Sequence, residues 1–147
     1  MEQKLTLPDA VAEIRGSDTF PLLRGQVRFY QRWNCVLVEV TVQGLPTNDT
    51  GFFGFHIHDG GSCTGTNFSD TGSHYNPTEQ PHPLHTGDLP PLISCHSDAY
   101  MAVATGRFRT SDVIGRTVIL HDMADDFHSQ PAGNAGTKIA CGVIRRV

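Results

Sequence analysis

CVLVEVTV, residues 35–42, is a run of β-branched and aliphatic residues that ends at the turn signal Gly44-Leu45-Pro46. Its composition and its period of two are typical of a β-strand. Short runs of the same kind occur on both sides of it, separated by glycine, proline and polar residues; they span 10–15, 25–30, 51–58, 100–104, 118–121 and 138–147. Since no window keeps a 3.6-residue apolar period for three turns, the sequence predicts an all-β sandwich or barrel.

Two long segments interrupt this rhythm. Residues 59–91 and 122–137 contain glycines, prolines and polar residues without a strand pattern. Segments of this length without secondary structure are uncommon in a compact domain unless they are functional or disordered. All eight histidines lie between His56 and His128, whereas no lysine or arginine occurs between Trp33 and Gly106. A metal ion would supply the missing positive charge. The histidine content of the first segment therefore favours a functional loop there.

Length and charge exclude several classes of protein. The 147 residues suit a single domain, predicted to span 1–147. The net charge of −4 argues against a nucleic-acid-binding protein. No run of 18 apolar residues is present, so no membrane-spanning helix is expected. The first twenty residues lack the apolar core of a signal peptide, which favours a cytoplasmic location. The alternative is an exported protein, periplasmic or extracellular, whose signal has been removed.

Three histidines are placed by strand patterns. His56-Ile57-His58 alternates, so both imidazoles face one side, about 6.6–6.8 Å apart along the strand, and can reach one metal ion. Taken alone, the pair also fits two surface or hydrogen-bonded histidines. His121 ends the apolar run 117–120, where a lone histidine is usually structural, so its meaning depends on the other histidines.

A denser cluster lies in the first long loop. Three imidazoles and one carboxylate, a set that suits four-coordinate zinc, fall within fifteen residues; they are His74, His82, His85 and Asp88. Prolines are interleaved with them and would stiffen a loop that has no secondary structure to hold its ligands. The alternative is a polar loop with incidental histidines.

Together these features resemble the copper/zinc superoxide dismutases, from about Ala10 to the C-terminus. The motifs that carry the resemblance are GFHIH (54–58), HYNP (74–77), HTGDL (85–89), IGRTVILH (114–121), ADD (124–126), GNAG (133–136) and ACGVI (140–144). Because several motifs occur in the right order, the resemblance is specific and covers nearly the whole chain.

The resemblance implies two metal sites that share one histidine. The copper ligands would be His56, His58, His74 and His121. The zinc ligands would be His74, His82, His85 and Asp88. His74 would bridge the two metals, and Asp125 would link a copper-bound to a zinc-bound histidine and so fix their tautomers. Imidazole and carboxylate ligands suit copper and zinc, so the residue types agree with this assignment.

The resemblance also implies a fold and an activity. The fold would be an Ig-like Greek-key β-sandwich, or flattened eight-stranded barrel, with two long functional loops. The activity would be the antioxidant dismutation of superoxide to dioxygen and hydrogen peroxide. Copper would take and return an electron, while His74 gains and then donates a proton. Copper and zinc would be the cofactors, superoxide the substrate, and a homodimer is expected.

Three features depart from the family's pattern. Lys138 stands where the family has arginine, three residues before the last motif cysteine. A lysine attracts a small anion as a point charge but cannot make arginine's forked contact, so we expect a working but slower site. The alternative is a solvated lysine at a strand start. The loop 122–137 contains no lysine or arginine, which predicts weak electrostatic steering. The spacing between His82 and His85 is also short for the family.

The cysteines and the alternative functions complete the expectations. The resemblance implies a disulfide between Cys63 and Cys141. Cys35 is expected to be a buried free thiol, and a second disulfide between Cys35 and Cys95 stays open. The alternative to a dismutase is a copper- and zinc-binding protein of the same fold, a copper carrier or buffer with little turnover. A zinc-only structural domain is a third hypothesis.

Overall fold

The structure, a computed structural model, describes residues 7–147, and residues 1–6 lie outside the described part. The described residues form nine strands: β1 (Ala10–Gly16), β2 (Arg24–Gln31), β3 (Val36–Gln43), β4 (Phe52–Phe53), β5 (Phe55–His58), β6 (Leu92–Ile93), β7 (Ala99–Thr105), β8 (Thr117–His121) and β9 (Lys138–Arg146). A 3₁₀ segment spans Thr66–Thr71, and helix α1 spans Thr110–Val113. The predicted all-β class is confirmed.

Seven strands form one antiparallel sheet in the order β5-β8-β9-β1-β2-β3-β7. The last strand, β9, lies between β8 and β1, so the topology is not a simple meander. The short pair β4-β6 joins the two ends of this sheet, because β4 leads into β5 through Gly54 while β6 packs against β7. The sheet therefore curls towards a flattened barrel. The run 51–58, which the sequence predicts as one strand, is divided between β4 and β5.

Alternation along each strand builds the core. In β3 the valines at 36, 38, 40 and 42 are fully buried, while the residues between them are half-buried. In β1, Ala10, Ala12 and Ile14 are buried in the same way. Burying a valine or isoleucine side chain contributes roughly 1.5–3 kcal/mol, so each inward row holds the sheet in its register.

Strand β5 is buried on both faces and is also an edge of the large sheet. Phe55 and Ile57 belong to the hydrophobic core. The backbone edge is covered by the first long loop: Tyr75 N donates to Ile57 O at 2.8 Å, and Ile57 N donates to Gly87 O at 2.8 Å. These bonds satisfy polar groups that an open edge would leave unpaired. They also fix the loop against the strand that carries His56 and His58.

The cysteine predictions are largely confirmed. Cys63 and Cys141 form a disulfide with their Cα atoms 5.8 Å apart, which joins the first long loop to β9. Cys35 and Cys95 are free thiols. Cys35 is half-buried rather than buried, since it lies one residue before β3 at the exposed turn from β2. Within residues 7–147 no helix is long and apolar enough to cross a membrane. The single domain over 1–147 stays a prediction.

Candidate metal centre

Four histidines converge above β5 and β8. The His56 and His58 rings are buried, with centroids 6.5 Å apart, as alternation along one strand requires. The ring of His121, from the neighbouring strand, lies 5.0 Å from His56 and 5.5 Å from His58. The loop bridge between His58 and His74 brings the His74 ring to 4.0 Å from that of His56. One nitrogen from each of the four lies within 4.8 Å of the others.

An irregularity in β9 helps to aim His121. Leu120 pairs with Ala140, but His121 pairs with Lys138, so Ile139 has no opposite residue. Bulges of this kind redirect side chains and are common next to functional sites. Here the shift ends the β8–β9 pairing at the histidine and sets Lys138 opposite it.

A second group of donors surrounds Asp88. The Asp88 carboxylate lies 2.8 Å from His74 Nδ1, 3.0 Å from His82 Nδ1 and 3.3 Å from His85 Nδ1. The Nδ1 atoms of His85 and His74 are 3.2 Å apart. All four residues predicted as one ligand set therefore meet here. His56 also lies within 4.8 Å of His74, His82 and Asp88, so the two groups are contiguous.

Hydrogen bonds on the outer side of the rings determine which nitrogen faces inwards. Asp125 accepts from His56 Nε2 and from His82 Nε2, both at 2.8 Å, which leaves Nδ1 of each ring as a lone-pair donor. His58 Nδ1 donates to Gly72 O at 2.8 Å, so its Nε2 faces the cluster. His121 Nδ1 lies 3.4 Å from Gly136 O and has the same arrangement.

The buried nitrogens without partners test whether metal ions fit. Among the described residues, the buried histidine nitrogens without a hydrogen bond are His56 Nδ1, His74 Nε2 and His82 Nδ1. All three point into the two clusters, and buried polar atoms are rarely left unpaired. His74 has no outer hydrogen bond, because its Nδ1 faces Asp88 and its Nε2 faces the four-histidine group. Bound cations would satisfy these atoms, and imidazole donors suit copper and zinc.

Burial keeps the rings in the neutral form that binds metals. It lowers the pKa of His56 to about 4 and that of His121 to about 3. Burial alone would raise the pKa of the Asp88 carboxyl, but its hydrogen bond to His74 and the neighbouring imidazoles outweigh burial and lower it. The centre therefore offers neutral nitrogens and an ionised carboxylate at neutral pH.

Lys138 lies at the wall of the four-histidine group. Its Nζ donates to Thr71 Oγ1 and to Gly72 O, each at 2.9 Å, and the side chain is half-buried. Burial lowers its pKa. It is therefore not simply a solvated lysine. Gly72 O accepts hydrogen bonds from both His58 and Lys138.

Sequence reasoning missed the groups that hold these side chains. Thr71 Oγ1, Gly72 O and Gly136 O anchor Lys138, His58 and His121. Two of the three acceptors are backbone carbonyls, which every residue has, so no residue type at those positions could have indicated them. The threonine carried no motif that sets it apart from other loop threonines.

Comparison with known proteins agrees with this geometry. The family model described as copper/zinc superoxide dismutase (SODC) matches residues 23–144. Superoxide dismutase (Cu-Zn) 2 of Aquifex aeolicus (strain VF5) is 32% identical over 136 residues, which cover 82% of this chain and 78% of that protein. Superoxide dismutase (Cu-Zn) 4 of Dictyostelium discoideum is 30% identical, covering 94% of this chain and 98% of that protein. The copper chaperone for superoxide dismutase of Rattus norvegicus is 32% identical, covering 98% of this chain but 55% of that protein.

The family match extends over most of the chain, and it includes the strands and loops that bring the seven donor side chains together. Relatives at 30–32% identity would be weak support if the matched part were small, but two of the three cover more than nine tenths of this chain. On this ground, the chain belongs to the copper/zinc superoxide dismutase family.

Proposed function

We propose that this protein is a superoxide dismutase, which converts two superoxide ions and two protons to dioxygen and hydrogen peroxide. The observation that carries the proposal is that two adjacent groups of donor atoms share the His74 ring. The Nε2 atom of that ring faces the four-histidine group and has no hydrogen-bond partner among the described residues. A structural zinc site would need one such group and no shared ring.

The outer hydrogen bonds suggest a donor atom for each ligand. The copper donors would be His56 Nδ1, His58 Nε2, His74 Nε2 and His121 Nε2. The zinc donors would be His74 Nδ1, His82 Nδ1, His85 Nδ1 and the Asp88 carboxylate. His85 is preferred to His56 for zinc, because His56 has one inward nitrogen and that atom already belongs to the four-histidine group.

Bound copper would take an electron from one superoxide and pass it to a second, and bound zinc would hold and polarise the His74 ring. His74 can carry a proton at Nε2, because that atom has no hydrogen-bond partner among residues 7–147. Its Nδ1 stays fixed beside Asp88, so the ring keeps its place while the proton moves. From Nε2 the proton can be donated to the reduced oxygen species.

Lys138 supplies positive charge for the anionic substrate. Two of its three N–H groups are used on Thr71 and Gly72, which leaves one to meet an anion beside the four-histidine group. Because arginine would offer a planar fork there, we expect slower capture of superoxide than in relatives that have arginine.

Metal content and turnover, measured on the same sample, test the proposal. Protein loaded with copper and zinc should bind one of each and dismutate superoxide far faster than free copper ions do. His74→Gln should abolish most of the activity, while His96→Gln, a change at an exposed histidine outside both groups, should not alter it. Activity of the fully loaded protein no greater than that of free copper would show the proposal to be wrong.

The second candidate is a copper carrier or buffer with little turnover. It is favoured by the similarity to a copper chaperone and by the absence of lysine and arginine from residues 122–137. A carrier would release copper quickly to a competing chelator, whereas a catalyst would retain copper through many turnovers. The rate of copper transfer therefore separates the two functions.

Assembly and location are further proposals. We expect a homodimer, to be tested by sedimentation at micromolar concentration. We also expect a cytoplasmic protein, with export after removal of a signal as the alternative, to be tested by fractionation of cells that express the natural gene.

A further inference from the structure

The segment 81–88, here called the zinc segment, has little structure of its own although it carries His82, His85 and Asp88. Its internal backbone hydrogen bonds join Leu84 N to Pro81 O at 2.7 Å and Asp88 N to His85 O at 3.1 Å. His82 and His85 are close in sequence, so the backbone between them must turn tightly to present both rings to one point. Side chains from two other parts of the chain hold it there.

The first of these side chains is Arg107, which follows β7. Its Nη1 donates to Pro83 O at 2.7 Å and to His85 O at 3.0 Å, and it lies 3.5 Å from Asp88 O. The three carbonyls lie between positions 83 and 88 of the zinc segment, and Nη1 is planar with two N–H bonds in fixed directions. One rigid cation therefore fixes the backbone of two predicted ligands.

The second is Gln130, in the other long loop. Its Nε2 donates to His82 O at 2.8 Å, and His82 N donates to its Oε1 at 2.9 Å. Both polar groups of the His82 backbone are therefore satisfied by one amide. The ring of the same histidine is held by Asp125, so backbone and side chain are fixed from the same loop.

We infer that Arg107 and Gln130 are positioning residues that preorganise the zinc segment and thereby control how long it retains zinc. The inference rests on the zinc assignment under the proposed function. Neither side chain offers a donor atom to the metal; each fixes the backbone of a ligand. When supports of this kind are lost, the ligands must be reordered each time the metal binds, which weakens binding.

Zinc release tests the inference directly. Zinc-loaded protein is mixed with a chromophoric chelator, and the rate of zinc transfer is measured for the wild type, Arg107→Gln and Gln130→Ala. Each variant should release zinc roughly 10–100-fold faster, because removing outer partners of metal ligands typically lowers metal affinity by that factor. Arg107→Lys, which keeps the charge without the planar nitrogen, should restore the rate in part.

Two variants serve as matched controls. Arg109→Gln removes an exposed arginine two residues away, and Gln80→Ala removes an exposed glutamine next to the zinc segment whose side-chain amide donates to Thr78 O. Both should release zinc at the wild-type rate. The thermal midpoint of the metal-free protein should fall by no more than a few degrees in any of the variants, since all four side chains are at the surface.

The outcomes distinguish this inference from the proposal on which it depends. A wild-type protein that binds no zinc would overturn the zinc assignment and this inference with it. A wild type that retains zinc, with Arg107→Gln and Gln130→Ala releasing it at the same rate, would overturn the inference alone. The inference would also be overturned if the two variants lowered the thermal midpoint of the metal-free protein but left the rate of zinc release unchanged, because that result would indicate a general structural role.

Discussion

The Asp125 side chain connects the two ligand groups from outside. Its buried carboxylate accepts from His56 and His82, one ring of each group. Burial alone would raise its pKa, but the hydrogen bonds from both rings and from Phe127 N outweigh burial and lower the pKa. An ionised Asp125 fixes the proton of each ring on Nε2 at neutral pH, so that both Nδ1 atoms remain free for metal.

We expect Asp125→Asn to weaken binding of both metals. The amide has nearly the same size but one acceptor oxygen, so one of the two rings loses its partner. Metal affinity should fall roughly 10–100-fold, measured by competition with chelators for copper and for zinc separately. Asp126→Asn is the matched control, because the neighbouring carboxylate bonds to Ser129 and the His128 backbone rather than to either group. Equal affinities in Asp125→Asn and wild type would contradict this role.

Lys138 is predicted to govern the capture of the substrate anion. Lys138→Ala should lower kcat/KM by about tenfold at low salt, within the range that electrostatic steering spans, and should flatten its dependence on ionic strength. Lys138→Arg should raise kcat/KM, because its fork can bond to Thr71 and Gly72 and still reach the anion. If kcat/KM of Lys138→Ala still falls steeply with added salt, another cation steers the substrate.

At the scale of elements, the strands were predictable and the positions of the long loops were not. The run CVLVEVTV becomes β3 with one residue of difference at each end, because alternation is a local signal. The run 51–58 is divided because Gly54 N bonds to Met123 O and a Cβ at Gly54 would lie 2.7 Å from the Ala135 Cβ. That contact comes from a distant loop, which no local pattern contains.

The first long loop was predicted as functional from its histidine content, but the contacts that anchor it depend on which distant residues it pairs with. The pairing of Tyr75 and Gly87 with the edge of β5 decides where His74 and Asp88 lie. The edge of β5 is available because β5 has β8 on one side and no strand of the large sheet on the other. Strand order depends on the topology of the whole chain, which no local pattern contains. The position of the loop was therefore expected only from the resemblance to a known family.

The disulfide ties the first long loop to β9 and should add substantially to stability. The cysteines are separated by 78 positions, and closing a loop of this length is worth about 4.5 kcal/mol in the chain-entropy account. Cys63→Ser should lower the free energy of unfolding of the metal-free protein by up to about that amount, measured by chemical denaturation. Cys95→Ser, at an exposed free thiol, should change it little. Similar losses in the two variants would contradict the prediction.

At the scale of the molecule, separate parts of the chain meet at the metal centre and bury polar side chains there, some of them without hydrogen-bond partners. The close spacing of His74, His82, His85 and Asp88 in the sequence was enough to predict them as ligands. His121 could be predicted as a ligand only from the resemblance to the family. The structure buries six imidazoles and the Asp88 carboxylate, and three of the ring nitrogens have no hydrogen-bond partner among residues 7–147. Such a centre is costly for the metal-free fold, since burying polar groups without partners is unfavourable. Binding of metal should therefore raise the thermal midpoint.

The same burial gives the metal-free protein a definite pH dependence. In the folded state, burial lowers the pKa of His56 from 6.5 to about 4, and that of His121 to about 3. In the unfolded chain both rings bind protons near pH 6.5. Between pH 6.5 and about 4 the unfolded state therefore binds more protons than the folded state, so the free energy of unfolding falls as the pH falls.

We expect the metal-free protein to be most stable above pH 7 and to lose about 3 kcal/mol through His56 alone as the pH falls to about 4. Chemical denaturation at a series of pH values measures the loss, and its slope gives the number of protons taken up on unfolding. His56→Gln should remove up to one proton from that number, because glutamine does not titrate. A free energy of unfolding that stays constant from pH 7 to 4.5 would contradict the prediction, because a ring whose pKa is lowered to about 4 in the folded state binds its proton on unfolding across that range.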